Sequence, residues 1–433
     1  MKKMIKLILS EWTKFRGNNK NKIIVAIIIA YLLGLVIYNG NLHDSYMYDK
    51  ERDMGDQARE ATGRLQVLDM LEEMGLEGVD PENPGSVEIE QDELESIEVD
   101  SEELDLLEID LEEVEFLITE ASTSTQLESY YRSPGVMSWQ RVLEIQNQKY
   151  HNLIFAAENN YMDNDVLRYR NQLPEQLKEN IAINEYMLEN NIEPQQSPYQ
   201  VNGFQFLLFI LRGYTPLILL ALIAILAVDI YLGEIEEGSY KTYFTQPFSR
   251  AKIYWSKLIS IMIFTTAILG VLILTFFIVI TAIYGIGDLD YPQAIATSEM
   301  LTSLSSNGER LGQYQIVSTG RYLALGYSLF VVMLIMTIAS TKAISIFINS
   351  TSSTLGLVTG VFMLNFVFDS TLSNASIFRF IQPLAYSNID LVIRGQVNAS
   401  YVVGILLALT VTIVMIILSA IKLIKSDLLG SEG

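Results

Sequence analysis

Six long apolar segments constrain this chain more than any other feature of its sequence. They cover residues 23–38, 214–232, 258–284, 322–340, 354–368 and 401–421. An α-helix needs roughly 20 apolar residues to cross about 30 Å of hydrocarbon, and most of these segments approach that length. Half of the residues are hydrophobic and 18% are charged, against roughly 25% charged residues in ordinary soluble domains. The sequence therefore predicts an all-α polytopic membrane protein with six transmembrane helices.

Lysine and arginine residues beside these segments predict the orientation. Residues 1–22 carry seven of them against one glutamate, and such residues accumulate on cytoplasmic flanks. Six spans then return the C-terminus to the cytoplasm, and Lys422 and Lys425 beside the last span support that orientation. The loops that hold residues 241–257 and Lys342 are predicted to lie on the same side. No A-x-A-like cleavage site follows the first span, so we expect no cleaved signal peptide.

The first 22 residues also have an amphipathic pattern. Apolar residues recur near helical spacing and lysines occupy the other positions, which is typical of a helix lying at the membrane interface. Two interpretations remain open: a simple anchor among lipid headgroups, or an elbow helix that leads into the first span at residues 23–38.

The segment 39–203 between the first two spans holds most of the negative charge. It contains 38 Asp and Glu and 10 Lys and Arg, and residues 65–131 include 23 acidic residues with no basic one. This composition fits a solvated, partly disordered insertion. Apolar residues within 87–118, and helical spacing in 42–74, 138–160 and 175–190, favour instead a mostly helical acidic extracellular domain, with the last two segments paired as a hairpin.

An acidic surface of this kind suggests particular ligands. A calcium loop requires oxygen ligands at fixed spacing around a glycine, and residues 88–120 do not match that pattern. A negative field concentrates cations and cationic peptides, so a cationic or amphipathic peptide is our hypothesis, with solubility alone as the alternative.

Residues 233–257 form a short polar segment between the second and third spans. An acidic-Gly turn, a short aromatic stretch, a Pro-x-Ser-Arg element and a lysine follow one another here, and this order resembles the first cytoplasmic loop of type-2 ATP-binding-cassette (ABC) exporter permeases. In that family a separate ATPase docks on this loop. The candidate coupling residues are Glu236, Glu237, Gly238, Tyr240, Tyr243, Phe244, Pro247, Phe248, Ser249, Arg250 and Lys257.

The resemblance covers nearly the whole chain and implies the partners. It implies two ABC ATP-binding subunits, a second permease subunit that is identical or homologous, and ATP and Mg²⁺ bound by the ATPase rather than by this chain. It implies an elbow helix at 1–22 and outer half-helices within 369–399. The compact drug and polysaccharide exporters of the family lack a large domain such as 39–203. In having one, this chain resembles the family's Gram-positive members with an enlarged extracellular domain. Since several of those serve peptide export, peptide immunity or sodium extrusion, the identity of the substrate stays open.

Polar and small residues near the fifth span suggest a further contact. Gly356 and Gly360 form a GxxxG pattern that permits close helix approach, while Asn365 and Asp369 lie before a segment interrupted by Pro383. Irregular backbone at membrane depth must be buried in protein or line water. We therefore expect these four residues to line an exit or a dimer contact, and the sequence leaves both possibilities open.

The sequence lacks the motifs of several common kinds of catalytic site. There is no cysteine, and His43 and His151 are far apart, so thiol chemistry and thiolate metal sites are excluded. The stretch from Gly233 to Ser239 lacks the lysine of a phosphate-binding loop. We expect no nucleotide site, metal or nucleic-acid partner, and hence a permease that borrows ATP hydrolysis.

The predicted function is export of a peptide-like or amphipathic substrate across the plasma membrane, as in peptide export or immunity to antimicrobial peptides. Two alternatives remain: a membrane-anchored sensor that binds a cationic ligand through its acidic domain, and a sodium-extruding ABC permease.

Overall fold

The computed structural model describes residues 19–73, 111–133, 135–159, 174–236, 250–302, 314–348, 350–372 and 376–425. Helices dominate these residues. In chain order the elements are α1 (Asn19–Glu73), α2 (Leu111–Arg132), α3 (Trp139–Glu158), α4 (Pro174–Glu189), α5 (Gly203–Leu211), α6 (Thr215–Glu236), α7 (Arg250–Tyr284), β1 (Pro292–Ala296), α8 (Ser298–Thr302), β2 (Tyr314–Ser318), α9 (Thr319–Ile348), α10 (Thr351–Thr371), α11 (Ile377–Ile381), a 3-10 turn (Pro383–Ser387), α12 (Ile389–Arg394) and α13 (Tyr401–Lys425).

The chain divides into two compact units, Leu42–Pro198 and the rest. In the first, which we call the insertion unit, α3 packs against both α2 and α4. Apolar side chains from these helices and from α1 form small clusters, such as Leu153 and Ile154 with Leu177 and Ile181. The predicted pairing of the segments near 138–160 and 175–190 as a helical hairpin is confirmed.

A buried ion pair crosses the insertion unit. Lys149 Nζ of α3 lies 2.5 Å from Glu120 Oε1 of α2, and the two side chains are 2% and 5% exposed. The same ammonium group donates to Ser124 Oγ at 2.6 Å. Charges removed from water require such partners, because an unpaired buried charge is strongly destabilising. This pair fixes how α2 and α3 face each other.

The second unit, which we call the membrane unit, is built around α9. Five described helices are long and apolar enough to cross a membrane: α1, α7, α9, α10 and α13. Helix α9 packs against α6, α7, α10 and α13, and most of its core-facing side chains are fully buried. A hydrophobic helix buried on most of its surface occupies the centre of a bundle, and α9 has that position here.

The predicted second span is preceded by a break. Helices α5 and α6 meet at an angle of 75°, and the number of spans rises to six if they count as one bent span. Helix α5 ends at Leu211, directly before Arg212. That helix is mostly buried among protein side chains, with Phe206 stacked on Phe276 of α7 at a centroid distance of 6.0 Å.

We define the two ends of the membrane unit by the connections between its helices. The loop end holds the last residue of α6 and the first residues of α7 and α10; the cap end is opposite. At the cap end β1 and β2 pair antiparallel, with Pro292 opposite Ser318 and Ala296 opposite Tyr314. This hairpin corrects the prediction of an all-α fold: the connection between α7 and α9 contains one pair of strands, which are too short to give an apolar-span signal.

Backbone contacts hold the cap end together. The Gly203 and Phe204 amides donate to the Gly285 and Ile286 carbonyl oxygens, which places the start of α5 against the end of α7. Gly287 has φ +84° and meets the Asn202 side chain, where a Cβ atom would overlap it. Glycine is required at such a position because other residues rarely adopt positive φ.

Candidate functional site

The predicted coupling loop connects two observed helices. Helix α6 ends at Glu236 and α7 begins at Arg250; at both positions the structure describes the backbone only. Lys257 lies two turns into α7 and is half-buried. The other candidates, Glu237, Gly238, Tyr240, Tyr243, Phe244, Pro247, Phe248 and Ser249, lie outside the described residues.

A buried polar cluster lies one turn beyond Arg250. The Tyr254 hydroxyl is 2.7 Å from Ser419 Oγ and 3.0 Å from the Ile416 carbonyl oxygen of α13. Lys342 Nζ of α9 donates to the Tyr254 carbonyl oxygen at 3.0 Å and lies 4.1 Å from the centre of the Tyr254 ring. We call Tyr254, Lys342 and Ser419 the loop-end cluster. It joins the first turns of α7 to two other helices.

The position of Lys342 differs from the expectation that it lies in a loop. Helix α9 continues to Ile348, and Lys342 is 1% exposed within it. A desolvated ammonium group needs compensation, and the carbonyl oxygen and the ring of Tyr254 supply hydrogen bonding and a cation–π contact. In the sequence, Lys342 is a single lysine directly after an apolar segment. The rule that lysines accumulate on cytoplasmic flanks therefore predicted that it lies in a loop beside the span.

A second buried charged pair joins the last turn of α10 to α11. The carboxylate of Asp369 pairs with the guanidinium of Arg379, and their side chains are 9% and 5% exposed. Arg379 also donates to the carbonyl oxygens of Asp369 and Leu372 at 2.7 and 3.0 Å, and Asn388 Nδ2 lies 3.3 Å from Asp369 Oδ2. These bonds satisfy carbonyl groups where α10 ends, which buried backbone requires.

Neighbouring contacts fix the short helices after α10. The Tyr322 hydroxyl of α9 donates to Asp390 Oδ1 at 2.5 Å, and Arg394 Nε lies 3.3 Å from the same oxygen. The Tyr386 ring lies against Gly404 of α13. Within 369–399 the structure has α11, the 3-10 turn and α12; the 3-10 turn packs against α9 and α13, and α12 packs against α9. That these elements are the outer half-helices of a permease stays a prediction.

A cavity of about 410 Å³ lies between α9, α10, α13 and the 3-10 turn. We call it the slot. Its walls are almost entirely apolar, and its few polar side chains are those of Thr337, Ser340, Thr341, Asn365 and Gln382. Gln382 Nε2 donates to Asn365 Oδ1 at 2.8 Å. Among the described residues, Thr337 Oγ1 is buried without a hydrogen-bond partner.

The four residues predicted to line an exit or a dimer contact do not form one site. Asn365 lines the slot, whereas Asp369 is held by Arg379. Gly356 and Gly360 have open space where a side chain would project and are not among the slot residues. Whether these two glycines contact a second subunit stays a prediction.

Residues 179–429 match a family described as protein of unknown function (DUF2705). The chain belongs to this family. No curated protein and no solved structure matches it. The part of the DUF2705 chain that matches contains the loop-end cluster, the slot and the short helices after α10, whereas the acidic run before α2 lies outside it.

Possible metal ligands do not cluster in the part of this DUF2705 protein that the structure describes. Across the described residues, no group of three His, Asp or Glu side chains is placed to hold a metal ion. Both histidines make local contacts: His43 Nδ1 lies 2.5 Å from Ser197 Oγ, and His151 Nδ1 lies 2.8 Å from the Asn147 carbonyl oxygen. That this chain is not itself an enzyme stays a prediction.

Proposed function

We propose that this multi-pass membrane protein is the permease subunit of an ATP-driven ABC exporter. A separate ATPase, with ATP and Mg²⁺, would dock on residues 233–257, and two such ATPases and a second permease subunit would complete the assembly. The substrate would be peptide-like or amphipathic. The observation that carries this proposal is the loop-end cluster, because it connects the helix that follows the loop to the centre of the bundle.

A loop that transmits movement needs firm attachment on both sides. On the side of α6, Leu232 is fully buried, four residues before the helix ends. On the side of α7, Ile253, Tyr254 and Leu258 are buried, and Tyr254 is bonded to α9 and α13. Because helices are stiff over such lengths and interiors are close-packed, a displacement at residues 237–249 would move α6 and α7 with them.

The proposed orientation can be tested first. The chain contains no cysteine, so single-cysteine variants report one position each. In intact cells, a membrane-impermeant maleimide should label Asp288→Cys, which is exposed at the cap end, and should label Tyr243→Cys only after the cells are permeabilised. Labelling of Tyr243→Cys from outside would place the loop away from ATP and would exclude the ATPase proposal.

The second experiment tests the contact itself. A short bifunctional maleimide on Tyr243→Cys should cross-link the chain to a protein that binds Mg·ATP, and the purified pair should hydrolyse ATP in vesicles. Adding Arg250→Glu and Phe244→Ala should abolish both results, whereas Lys252→Ala, an exposed change in the same turn of α7, should preserve them. Equal ATP hydrolysis with the Arg250→Glu, Phe244→Ala pair would show that the loop does not form the contact.

A further inference from the structure

Helix α1 contributes little apolar surface to the core of the insertion unit. Over residues 50–63 its buried apolar side chains are those of Met54, Ala58 and Ala61. The contact between α3 and α4, by comparison, contains two leucine and two isoleucine side chains. Burial stabilises roughly in proportion to the apolar area that is removed from water. Apolar contacts therefore hold this stretch of α1 less firmly than they hold α3 and α4 together.

An ion pair also attaches this stretch to α2, at an exposed position. Arg132 Nε lies 3.0 Å from Glu51 Oε1, and the two side chains are 62% and 32% exposed. Pairs of this kind contribute little to stability, because water solvates both charges and salt screens their attraction. The ion pair therefore does not replace the missing apolar contacts.

A polar side chain, that of Gln57, lies on the buried face of α1. Three residues earlier, Met54 belongs to an apolar cluster with Leu127 of α2. Four residues later, Ala61 belongs to a second cluster with Leu117 of α2. Gln57 is 7% exposed and lies between these two clusters, level with the middle of α2.

The ion pair of Glu120 and Lys149, with Ser124, lies at the same level of the core, and we call these three residues and Gln57 the polar layer. Two acceptor atoms of this layer, Gln57 Oε1 and Glu120 Oε2, have no hydrogen-bond partner among the described residues. A buried acceptor without a partner costs the free energy of its desolvation. Water would satisfy both atoms once α1 had moved away, so the closed arrangement carries a cost that separation of α1 removes.

We propose that residues 50–63 of α1 are a releasable helix segment. They separate from α2 and α3, which stay packed on each other and on α4. The separation uncovers a surface on which a carboxylate and an ammonium group lie between two apolar clusters. The insertion unit thus has an open form with binding groups that its closed form conceals. This inference needs no ATPase and does not depend on the proposed export function.

Single cysteines in the purified full-length chain, in detergent, measure the separation, because the parent sequence contains no cysteine. Ala61 and Ala156 belong to one cluster and are 3% and 0% exposed. A maleimide should label Ala61→Cys and Ala156→Cys at rates within about threefold of each other, since one opening uncovers both. Ile181→Cys, at the contact between α3 and α4, should react at least about tenfold more slowly.

Substitutions within α1 test the cause. Gln57→Leu removes one unbonded acceptor, so it should slow the labelling of Ala61→Cys by about fivefold or more. Gln66→Leu is the matched control, because it is the same substitution at an exposed position of α1, and it should change the rate by less than about twofold. Met54→Ala removes the largest buried apolar side chain of this stretch and should speed labelling at least about tenfold, while Ile181→Cys keeps its rate.

Three results would overturn the proposal. Labelling of Ile181→Cys as fast as that of Ala61→Cys would mean that the insertion unit unfolds as a whole. Labelling of Ala156→Cys far more slowly than Ala61→Cys would mean that α1 frays without uncovering α3. Labelling of Ala61→Cys that Gln57→Leu leaves unchanged or speeds up would mean that an enclosed water already satisfies the polar layer in the closed form.

Discussion

Replacing Lys149 by methionine should open the insertion unit locally. The substitution keeps most of the apolar stem but removes the ammonium group, which leaves the carboxylate of Glu120 buried at 5% side-chain exposure. Among the described residues Glu120 Oε2 already has no hydrogen-bond partner, and Oε1 would retain only Ser124 Oγ, at 3.4 Å. Breaking one side of a buried ion pair costs about 3–5 kcal/mol.

Hydrogen exchange in the full-length chain measures this cost where it arises. Each 1.4 kcal/mol is a tenfold change in the opening equilibrium, so amides in α2 and α3 whose exchange depends on separating these helices should exchange roughly 100- to 4,000-fold faster. Peptides from α9, which belongs to the membrane unit, serve as the internal reference and should be unchanged.

The double variant Glu120→Gln, Lys149→Met separates charge from packing. Replacing both members of a buried pair is often close to neutral, so exchange in α2 and α3 should return to within about tenfold of the parent rate, near 1 kcal/mol. Exchange in the Lys149→Met chain within twofold of the parent, or a double variant that opens as readily as the single one, would refute the assignment of a stabilising charged pair.

Two further predictions concern tyrosines. Burial raises the pKa of Tyr150 to about 12 from an ordinary 10.0, so between these pH values the folded insertion unit keeps a proton that the unfolded chain releases. The contribution of Tyr150 to the free energy of unfolding is therefore complete below pH 10 and falls by about 2 kcal/mol as the pH rises toward 12. In alkaline unfolding experiments, Tyr150→Phe should reduce this dependence of stability on pH. Tyr254→Phe removes the hydroxyl bonded to α13 and should lower the Tm of the membrane unit by about 2–4 °C, for a loss near 1 kcal/mol. An equal decrease in Tm caused by Trp255→Phe, at the exposed neighbouring position, would show that the lost hydrogen bond is not the cause.

The sequence predicted the elements whose signal is local. A transmembrane helix is recognisable from about 20 consecutive apolar residues. The five candidate spans of the structure, with the bent pair as a sixth, agree with the six apolar segments of the sequence. The break before α6 coincides with Arg212 inside an apolar run. The hairpin of β1 and β2 was missed because its five-residue strands lie in a mixed connection where neither length nor strict alternation is informative.

The candidate site was harder to predict because its contacts join distant residues. Lys342 and Tyr254 are separated by 88 positions, and Tyr254 and Ser419 by 165. Nothing in the local sequence distinguishes Lys342 from an ordinary flanking lysine, and nothing marks Thr337 as unpartnered. Asn365 and Asp369 are recognisable in the sequence as polar residues of an apolar span. Only the folded structure shows that Asn365 lines the slot whereas Asp369 pairs with Arg379.

Helix α9 carries both the loop-end cluster and the slot. Thr337 and Lys342 are five positions apart, about 7.5 Å along the helix axis, and both are buried. If α9 moved when α7 was displaced through Tyr254, the wall of the slot would move with it, since close-packed helices do not deform independently. The rate at which a maleimide labels Ser340→Cys, a slot position in a chain without other cysteines, measured with and without Tyr254→Phe, is a direct test of this connection. Unchanged labelling in Tyr254→Phe would mean that the slot keeps its shape when the hydroxyl contact between α7 and α13 is lost, and that any coupling to an ATPase reaches it through α6 instead.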